Sequence, residues 1–407
     1  MNKRIAIVND IGSLGGIEMM LLVLARELPR DRYTPVYLAP ESGAMIEQME
    51  ALGVEVIRAP RPRWWSVSFY IGQRKVFNPL ALLYDGWVTL RYIGALRRAL
   101  RVGRIDLVHS SGMVSQICAG VAARSLGLPH VAQVQDIIGS RLIRRWYGAL
   151  LGRLTDRIAA ISTAVATADL PIAKTQIVPN VVDLDRWQGG HLTRAALSLS
   201  DTQFVIGMVG RLTPWKGQRV FLAAARALLE SGEKVKAAEQ ADRCRFVLVG
   251  DDSIGSVAGY RAELEADAQR GVLRDRVQLL GRRADVLDVM ALCDVLVHAS
   301  LKPEPFGIVI VEAMAMGKPV IATAHGGPCD IIDHGVDGLL IAPNDPVALT
   351  AALRDLLNDP VRAAAMGEHA RLTVHTRYAA HTMIDSFCAI YDDLLADQLV
   401  DHTDRMQ

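Results

Sequence analysis

Residues 204–218 read FVIGMVGRLTPWKGQ and contain a strand, a loop and the start of a helix. The run Phe204–Val209 is apolar without alternation, which is typical of a parallel strand buried on both faces. Gly210 ends that run, and a basic loop then leads into an amphipathic pattern that begins near Gln218. Because a strand followed by a helix is half of a βαβ unit, this stretch predicts a doubly wound α/β sheet.

Runs of the same kind recur along the chain in two series, with helical patterns between them. The first series is Arg4–Asn9, Pro35–Ala39, Val54–Arg58, Leu107–Ser110, His130–Val134, Arg157–Ile161 and Gln176–Val178. The second series is Phe204–Val209, Arg245–Val249, Val277–Leu280, Val295–Ala299, Pro319–Ala322 and Gly338–Ile341. The predicted fold class is therefore α/β, with two facing Rossmann-like doubly wound domains.

The length of 407 residues also fits two domains, since single cores stop growing near about 250–300 residues. We predict an N-terminal domain over residues 1–182, a linker over 183–200 and a second domain over 201–376. The remaining segment, 377–407, contains an amphipathic helical pattern over Ala379–Leu399. Its apolar residues, at three- and four-residue steps, are Met383, Phe387, Ile390, Tyr391 and Leu394.

The net charge of +1 conceals an asymmetry between the two predicted domains. Residues 1–182 contain 22 Lys and Arg against 13 Asp and Glu, so they carry +9 and the remainder carries −8. The five cysteines are widely spaced and odd in number, which indicates neither a zinc site nor a disulfide framework. With no signal-peptide pattern and no run of about 18 apolar residues, we predict a cytoplasmic protein.

Loops that follow strands are where ligands bind in such sheets. The first of them, NDIGSLGGIE, spans residues 9–18, and its Gly15 and Gly16 would let a ligand approach the backbone near a helix start. Glycines in such loops often only turn the chain, so both interpretations stay open. Glu18 is better explained as a first-turn helix residue than as a catalyst.

Three further loops carry charged, polar or small residues. In GRLTPWKGQ, residues 210–218, Arg211 and Lys216 would either hold a diphosphate beside a helix start or simply be solvated. His109 ends a strand in DLVHSSG, where a structural and a functional role are equally plausible. AHGGPCDIIDHGVDGLLI, residues 324–341, would form either a backbone-lined sugar pocket or an ordinary turn.

The run EPFGIVIVEAMAMGKPV, residues 304–320, is the most specific motif. Glu304 lies in the loop after a strand, and Glu312 lies eight positions later inside a helical pattern. If that helix starts near Gly307, its first amides can hold a phosphate while one carboxylate contacts a sugar and the other a ribose. Two unrelated acids are the alternative, but the neighbouring Phe-Gly and Gly-Lys-Pro-Val sequences disfavour it.

In their order along nearly the whole chain, these motifs resemble those of the retaining glycosyltransferase family 4, which has the GT-B architecture. The resemblance implies a nucleotide-sugar donor bound mainly by the second domain and an acceptor bound mainly by the first. It also implies a reaction without a metal ion or other cofactor. Finally, it implies a C-terminal helix that crosses back to the first domain.

The resemblance also implies a role for each matching residue. Arg211 and Lys216 would hold the diphosphate of the donor. Glu304 would contact the donor sugar, Glu312 would contact the ribose, and His109 would lie near the primary hydroxyl of the transferred sugar. The neighbouring donor contacts would come from Gly15, Gly16, Phe306 and Gly307.

Two stretches depart from the family's pattern. The stretch QVQDIIG contains Gln133, Gln135 and Asp136 where many relatives carry a histidine, which leaves the acceptor-side chemistry open. The loop GDDSIG, residues 250–255, replaces a glycine-rich turn, so its contact with the donor is also open.

The chemistry implied is transfer of a sugar from UDP or GDP with retention. Breaking a glycosyl-phosphate bond builds negative charge on the diphosphate, where cations and helix amides stabilise it. Without an evident nucleophile, we predict same-face substitution in which the leaving phosphate oxygen accepts the acceptor's proton, although Glu304 as a nucleophile stays open. A nucleotide-sugar epimerase of the same fold and a non-catalytic sugar-nucleotide-binding protein are the alternatives.

The segment Arg58–Arg104 contains ten Lys and Arg, a single acid, Asp85, and eight of the 22 aromatic residues. Interleaved basic and aromatic residues favour contact with an anionic membrane surface. A pair of helices with an arginine-rich exposed face is the alternative, and nucleic acid is disfavoured because no binding motif accompanies the charge. We therefore predict a peripheral protein of the inner membrane face with a lipid-linked or surface-polysaccharide acceptor.

Overall fold

The structure is a computed structural model that describes residues 2–9, 16–39, 43–61, 68–71, 74–77, 79–183, 192–230, 242–251 and 257–404. Its packing divides the chain into two compact units. Unit 1 comprises Met1–Pro179 together with Met383–Gln407, and unit 2 comprises Asn180–Thr382. Within the described residues, no helix combines the length and the hydropathy needed to cross a bilayer.

The strands of unit 1 are β1 Lys3–Asn9, β2 Tyr33–Ala39, β3 Glu55–Arg58, β4 Ser68–Ile71, β5 Arg74–Phe77, β6 Leu107–Ser111, β7 His130–Val134, β8 Arg157–Ala160 and β9 Thr175–Ile177. Its helices are α1 Gly16–Glu27, α2 Ala44–Ala51, α3 Pro79–Val102, α4 Met113–Arg124, α5 Arg141–Leu154 and α6 Thr163–Ala166. Seven of these strands form a parallel sheet in the order β3-β2-β1-β6-β7-β8-β9. The order runs outward from β1 and β6, so the switch point lies between them.

The seven predicted runs of the first series all coincide with strands of this parallel sheet. Their apolar composition is explained by burial on both faces, because helices cover the sheet. On one face, Leu96 of α3 and Ala119 of α4 pack against Val8 of β1 and Leu38 of β2. The prediction of a doubly wound α/β domain is confirmed for this unit.

The helix pair considered for Arg58–Arg104 is wrong. The described residues of this segment contain the antiparallel strands β4 and β5, and one helix, α3, follows them. The two strands are separated by two residues in the sequence, the length of a tight hairpin. Aromatic and β-branched residues such as Phe69, Tyr70 and Val76 favour strands over helices, which explains the difference.

The strands of unit 2 are β10 Phe204–Val209, β11 Cys244–Val249, β12 Val277–Gly281, β13 Val295–His298, β14 Val320–Thr323 and β15 Leu339–Ile341. Its helices are α7 Gln218–Glu230, α8 Tyr260–Ala268, α9 Val286–Leu292, α10 Ile308–Ala315, α11 Pro328–Ile331, α12 Pro346–Asn358 and α13 Pro360–Arg377. The sheet is parallel in the order β12-β11-β10-β13-β14-β15, with its switch point between β10 and β13. The second predicted series is thereby confirmed as a doubly wound sheet.

The last helix, α14 Ala380–Asp404, belongs with unit 1 from Met383 onward. The apolar residues of the predicted stripe, among them Phe387 and Tyr391, are buried. The ring of Tyr391 packs edge-on against that of Tyr33 with centroids 5.7 Å apart. The chain therefore returns to its first unit through a helix whose amphipathic pattern is visible in the sequence.

Candidate active site

The switch point of unit 2 brings two predicted motifs to one edge of the sheet. Parallel neighbouring strands end at the same edge, so the loop after β10, with Arg211 and Lys216, lies beside the loop after β13, with Glu304. A backbone hydrogen bond of 2.7 Å from Leu301 to the carbonyl of Trp215 joins the two loops. This is the position at which open α/β sheets bind their ligands.

Glu304 is buried, and three side chains donate to one oxygen of its carboxylate. The Nζ atom of Lys216 lies 2.6 Å from Oε2 of Glu304. The Oγ atom of Ser300 lies 2.9 Å from the same oxygen, and the Nε2 atom of His298 lies 3.1 Å from it. Because a carboxylate only accepts, Nε2 of His298 carries the proton in this contact.

Electrostatics keep this carboxylate ionised. Burial alone would raise the pKa of Glu304, but the hydrogen bond from His298 and the charge of Lys216 outweigh it. The pKa of Glu304 is consequently held well below its usual range. At neutral pH the group is an acceptor of hydrogen bonds and not a proton donor.

The loop after β14, which contains Gly326 and Gly327, packs against the backbone of Glu304. The Glu304 amide donates to the carbonyl of His325 at 3.1 Å, and the amide of Gly327 donates to the carbonyl of Glu304 at 2.8 Å. A Cβ at Gly326 would lie 2.3 Å from the carbonyl oxygen of Glu304, and one at Gly327 would lie 2.3 Å from that of Phe306. Close backbone packing thus accounts for Gly-Gly here, and the predicted sugar pocket at this loop stays a prediction.

The helix after this loop starts where the sequence predicts. Gly307, with φ of 106°, precedes α10, and no side chain caps the helix. Its first amides are therefore suited to an anion. Phe306 is buried, with its ring edge-on to that of Tyr378, and Glu312 is half-buried in the second turn of α10.

The contacts of the loop after β10 account for the Lys-Gly sequence at Lys216 and Gly217. The ammonium of Lys216 lies 4.4 Å from the centroid of the Trp215 ring and donates to Glu304. Gly217, with φ of 82°, packs so closely that a Cβ would lie 1.9 Å from the carbonyl oxygen of Ala299. The ammonium of Lys216 has three N–H donors. Pairing with Glu304 uses one of them, which leaves two for a phosphate.

Arg211 differs from Lys216 in its surroundings. Its side chain is exposed, and within the part of the chain that the structure describes it has no ion pair. Its carbonyl accepts a hydrogen bond of 2.8 Å from the buried side chain of Gln218, which anchors the loop to the start of α7. An exposed guanidinium on an anchored loop is suited to an anionic ligand.

The predicted residues at the first strand of unit 1 are partly described. Gly15 lies outside the described residues. Gly16 begins α1, is exposed, and would have no atom within 4 Å of an added Cβ, so packing does not require glycine there. Glu18 is a first-turn residue of α1, as predicted, and its buried carboxylate accepts a hydrogen bond of 3.0 Å from Asn9.

His109 is the middle residue of β6, which extends two residues beyond it to Ser111, and is fully buried. Its Nδ1 atom lies 2.7 Å from the hydroxyl of Tyr391, its Nε2 atom lies 3.2 Å from Oε1 of Gln133, and Phe387 packs against the ring. Burial lowers the pKa of His109 to about 4, so the ring is neutral at pH 7. These are the contacts of a structural histidine, and its predicted role near the transferred sugar stays a prediction.

The other residues of the stretch QVQDIIG differ in burial. Gln133 and Gln135 are buried, and Gln135 lies 3.4 Å from the hydroxyl of Ser111. Asp136 is exposed. The loop residues 252–255 of GDDSIG lie outside the described residues.

His298 and Ser300 are site residues that sequence reasoning missed. Their signal is the stretch VLVHAS, in which a histidine ends β13 and is followed by small residues, as in the sequence VHSS of unit 1. Both are buried, and the Nδ1 atom of His298 has no hydrogen-bond partner among the described residues. The described residues contain no cluster of three or more His, Cys, Asp or Glu suited to a metal ion.

Two doubly wound units, one with a cation and carboxylate site at its switch point, define a two-domain α/β protein of the Rossmann type. The family Glycosyltransferase Family 4 matches residues 14–186, and Glycosyl transferases group 1 matches residues 192–373. The chain belongs to glycosyltransferase family 4 and has the GT-B type of fold.

Individual relatives are similar over about three quarters of the chain or more. UDP-Gal:alpha-D-GlcNAc-diphosphoundecaprenol alpha-1,3-galactosyltransferase of Escherichia coli is 24% identical over 97% of this chain and 98% of its own length. D-inositol 3-phosphate glycosyltransferase of Stackebrandtia nassauensis is 29% identical over 73% of this chain and 70% of its own. The crystal structure of Anabaena HepE in complex with UDP has a TM-score of 0.76, with 25% identity over 97% of this chain and 100% of that one.

Proposed function

We propose that the protein is a retaining glycosyltransferase that moves a sugar from a UDP- or GDP-sugar to a lipid-linked or surface-polysaccharide acceptor without a metal ion. The observation that carries the proposal is the ionised Glu304, paired with Lys216 at the switch point of unit 2. The UDP bound to the similar HepE supports a nucleotide-sugar donor. The diphosphoundecaprenol in the name of the E. coli relative supports a lipid-linked acceptor.

The charges at the site suit the development of a diphosphate leaving group. As the glycosyl-phosphate bond breaks, Arg211, Lys216 and the first amides of α10 would stabilise the negative charge. The leaving phosphate oxygen would take the acceptor's proton as the acceptor oxygen bonds to the anomeric carbon on the same face. One bond forms, one breaks and the proton goes to the diphosphate, so no further reagent is needed.

Glu304 would then orient the donor sugar by accepting from its hydroxyl groups. Its Oε2 atom accepts from Lys216, Ser300 and His298, and hydrogen bonds that stabilise negative charge make a carboxylate a weaker nucleophile. This observation favours same-face substitution over a covalent intermediate on Glu304. Glu312, further along α10, would accept from the ribose hydroxyls.

The test begins with a thermal-shift screen of UDP- and GDP-sugars, since a ligand that binds the native state raises its stability. The donor that stabilises the protein is then incubated with a diphosphopolyprenol-linked sugar, and the product's anomeric configuration is read by NMR. We expect an α-linked product from an α-linked donor. Conversion of the nucleotide sugar to a different one in the absence of acceptor would indicate a nucleotide-sugar epimerase. Binding of the nucleotide sugar without any turnover would indicate a non-catalytic binding protein.

Two variants test the assigned residues. Glu304→Gln should abolish transfer while leaving UDP or GDP affinity unchanged or higher, because it removes a negative charge beside Lys216. Lys216→Ala should weaken nucleotide diphosphate binding by about 10- to 100-fold in calorimetric titration, the usual effect of a charge-assisted hydrogen bond. Lys302→Ala, an exposed lysine near the same loop, is the matched control and should bind like the wild type.

A further inference from the structure

Helix α5 has exposed apolar side chains that take no part in the core of unit 1. Tyr147 and Leu151 face the core and are buried. Leu142, Ile143 and Trp146 lie on the other side, and Trp146 is 72% exposed. A large aromatic side chain left in water beside two aliphatic ones indicates a binding surface.

Helix α3 repeats this arrangement. Its core face is formed by buried residues such as Val88 and Leu96. A second stripe follows at steps of three and four residues, in which each side chain is more than half exposed: Leu80, Leu83, Trp87 and Leu90. A helix with apolar residues on two sides has one side left for a partner.

The two exposed stripes lie toward the same edge of unit 1. Helix α3 packs against α4, and α4 packs against α5. Helices α4 and α5 start after β6 and β7, so their first turns lie at the carboxyl edge of the sheet. Helix α3 ends just before β6 starts, so its first half, with Trp87, points toward that edge as well.

The charge of this region is strongly positive. Helices α3, α4 and α5 contain nine arginines and one acidic residue, Asp85. Exposed Arg141 and Arg145 alternate with the exposed apolar residues of α5, and the guanidinium of Arg91 lies 4.7 Å from the centroid of the Trp87 ring. Nine arginines against one acid favour an anionic partner, and arginines interleaved with tryptophan and leucine suit the headgroup region of an anionic bilayer.

We propose that the exposed stripes of α3 and α5, with their arginines, form a surface that docks on an anionic lipid bilayer. The aromatic and aliphatic side chains enter the headgroup region, and the arginines pair with lipid phosphates. Helix α5 lies outside the basic segment that the sequence singles out, so the structure extends that segment to a second helix. The inference depends on neither the donor nor the acceptor.

Vesicle flotation of the full chain tests the surface, with vesicles of phosphatidylcholine alone or with about 30% phosphatidylglycerol. We expect recovery with the anionic vesicles that falls as salt is raised. The double variant Arg141→Ala, Arg145→Ala should lower the partition coefficient by about 25-fold, about fivefold for each arginine. Ile143→Ser, Trp146→Ser should lower it at least tenfold, in line with the loss of two buried apolar side chains.

Matched controls remove similar groups elsewhere. Ile172→Ser changes an apolar residue of unit 1 that is 87% exposed, and Arg270→Ala with Arg362→Ala changes two exposed arginines of unit 2. Both control variants should float like the wild type. Nucleotide binding should be unchanged in the surface variants, so loss of flotation is separable from a failure of the proposed transfer.

Three results would overturn the proposal. One is equal recovery of the wild type with neutral and anionic vesicles, or none with either. Another is unchanged flotation of both surface variants, with circular dichroism showing that they are folded. The third is a dimer, measured by light scattering, that the surface variants dissociate while no protein binds lipid, since the surface would then join two copies of the chain.

Discussion

At the scale of single residues, the site depends on how one carboxylate is kept charged. Burial alone would protonate Glu304, and an unpaired buried carboxylate would be costly. Lys216, Ser300 and His298 supply three donors to the same oxygen, which compensates for the lost water. His298 is therefore a positioning residue that acts through Glu304.

The role of His298 predicts a change in pH dependence. His298→Ala removes one donor from Glu304, so the pKa of that carboxyl should rise and the acid limb of the transfer-rate profile should move upward. A lost charge-assisted hydrogen bond corresponds to about one to two pH units. His298→Gln keeps an N–H donor and should restore most of the profile. A His298→Ala profile that superimposes on the wild type would show that the histidine is only structural.

At the scale of elements, the loops after β13 and β14 are packed backbone to backbone. Gly326, with φ of 90°, bridges to Glu304 as a strand neighbour would, and the contact leaves no space for a side chain. The Gly-Gly motif and the Glu-Pro-Phe-Gly motif, whose first residues are 22 positions apart, thus form one structural element. Glycine is needed at these positions because a side chain there would displace the backbone of Glu304 and Phe306.

This packing predicts that Gly326→Ala destabilises unit 2 beyond the cost of its backbone conformation. Gly335 is the matched control, since its φ is 84° and an added Cβ would meet no atom within 4 Å. Gly335→Ala should cost about 1 kcal/mol for left-handed backbone, and Gly326→Ala about 2 kcal/mol more for the clash. The measurement is unfolding in urea. Equal losses for the two variants would contradict the packing argument.

At the scale of the whole molecule, the C-terminal helix completes unit 1 around two buried histidines. His109 contacts Tyr391 of α14, and His130 bonds to the hydroxyl of Ser110 at 2.7 Å. Burial lowers the pKa of each of these histidines to about 4. Both rings are therefore neutral in the folded unit at pH 7.

These pKa values predict that unit 1 loses stability in acid. An unfolded histidine takes up its proton near pH 6.5, but each folded one resists until about pH 4. Stability should therefore fall as the pH decreases from about 6.5 to 4, by about 3 kcal/mol for each histidine.

Calorimetric unfolding at pH 7 and pH 4.5 measures this loss. His109→Gln should be less stable than the wild type at pH 7 but should lose less on acidification. The exposed His381 supplies the control, since His381→Gln should lose as much as the wild type. An undiminished loss in His109→Gln would contradict the assignment.

Much of the fold was predictable because burial on both faces of a parallel sheet leaves a local trace in sequence. Continuous apolar runs such as Phe204–Val209 predicted strands, and the steps of Met383 and Phe387 predicted the C-terminal helix. The hairpin of β4 and β5 was not predicted, because short strands next to basic residues lack that trace. The position of each loop after a strand made Glu304 and Lys216 separate candidates, and the resemblance to family 4 implied that both contact the donor.

The sequence by itself determined two doubly wound α/β sheets, the position of the loops after their strands and the uneven charge, because each depends on residues that are near in the chain. Only the tertiary structure decided that His298 and Ser300 join Lys216 on Glu304, that Gly326 packs under it, and that α5 exposes Trp146. Lys216 and Gly326 lie 88 and 22 residues from Glu304, and although His298 and Ser300 lie only six and four residues away, the fold of the loop after β13 decides that they reach its carboxylate. No local pattern encodes such contacts, because they are set by how helices and strands pack together.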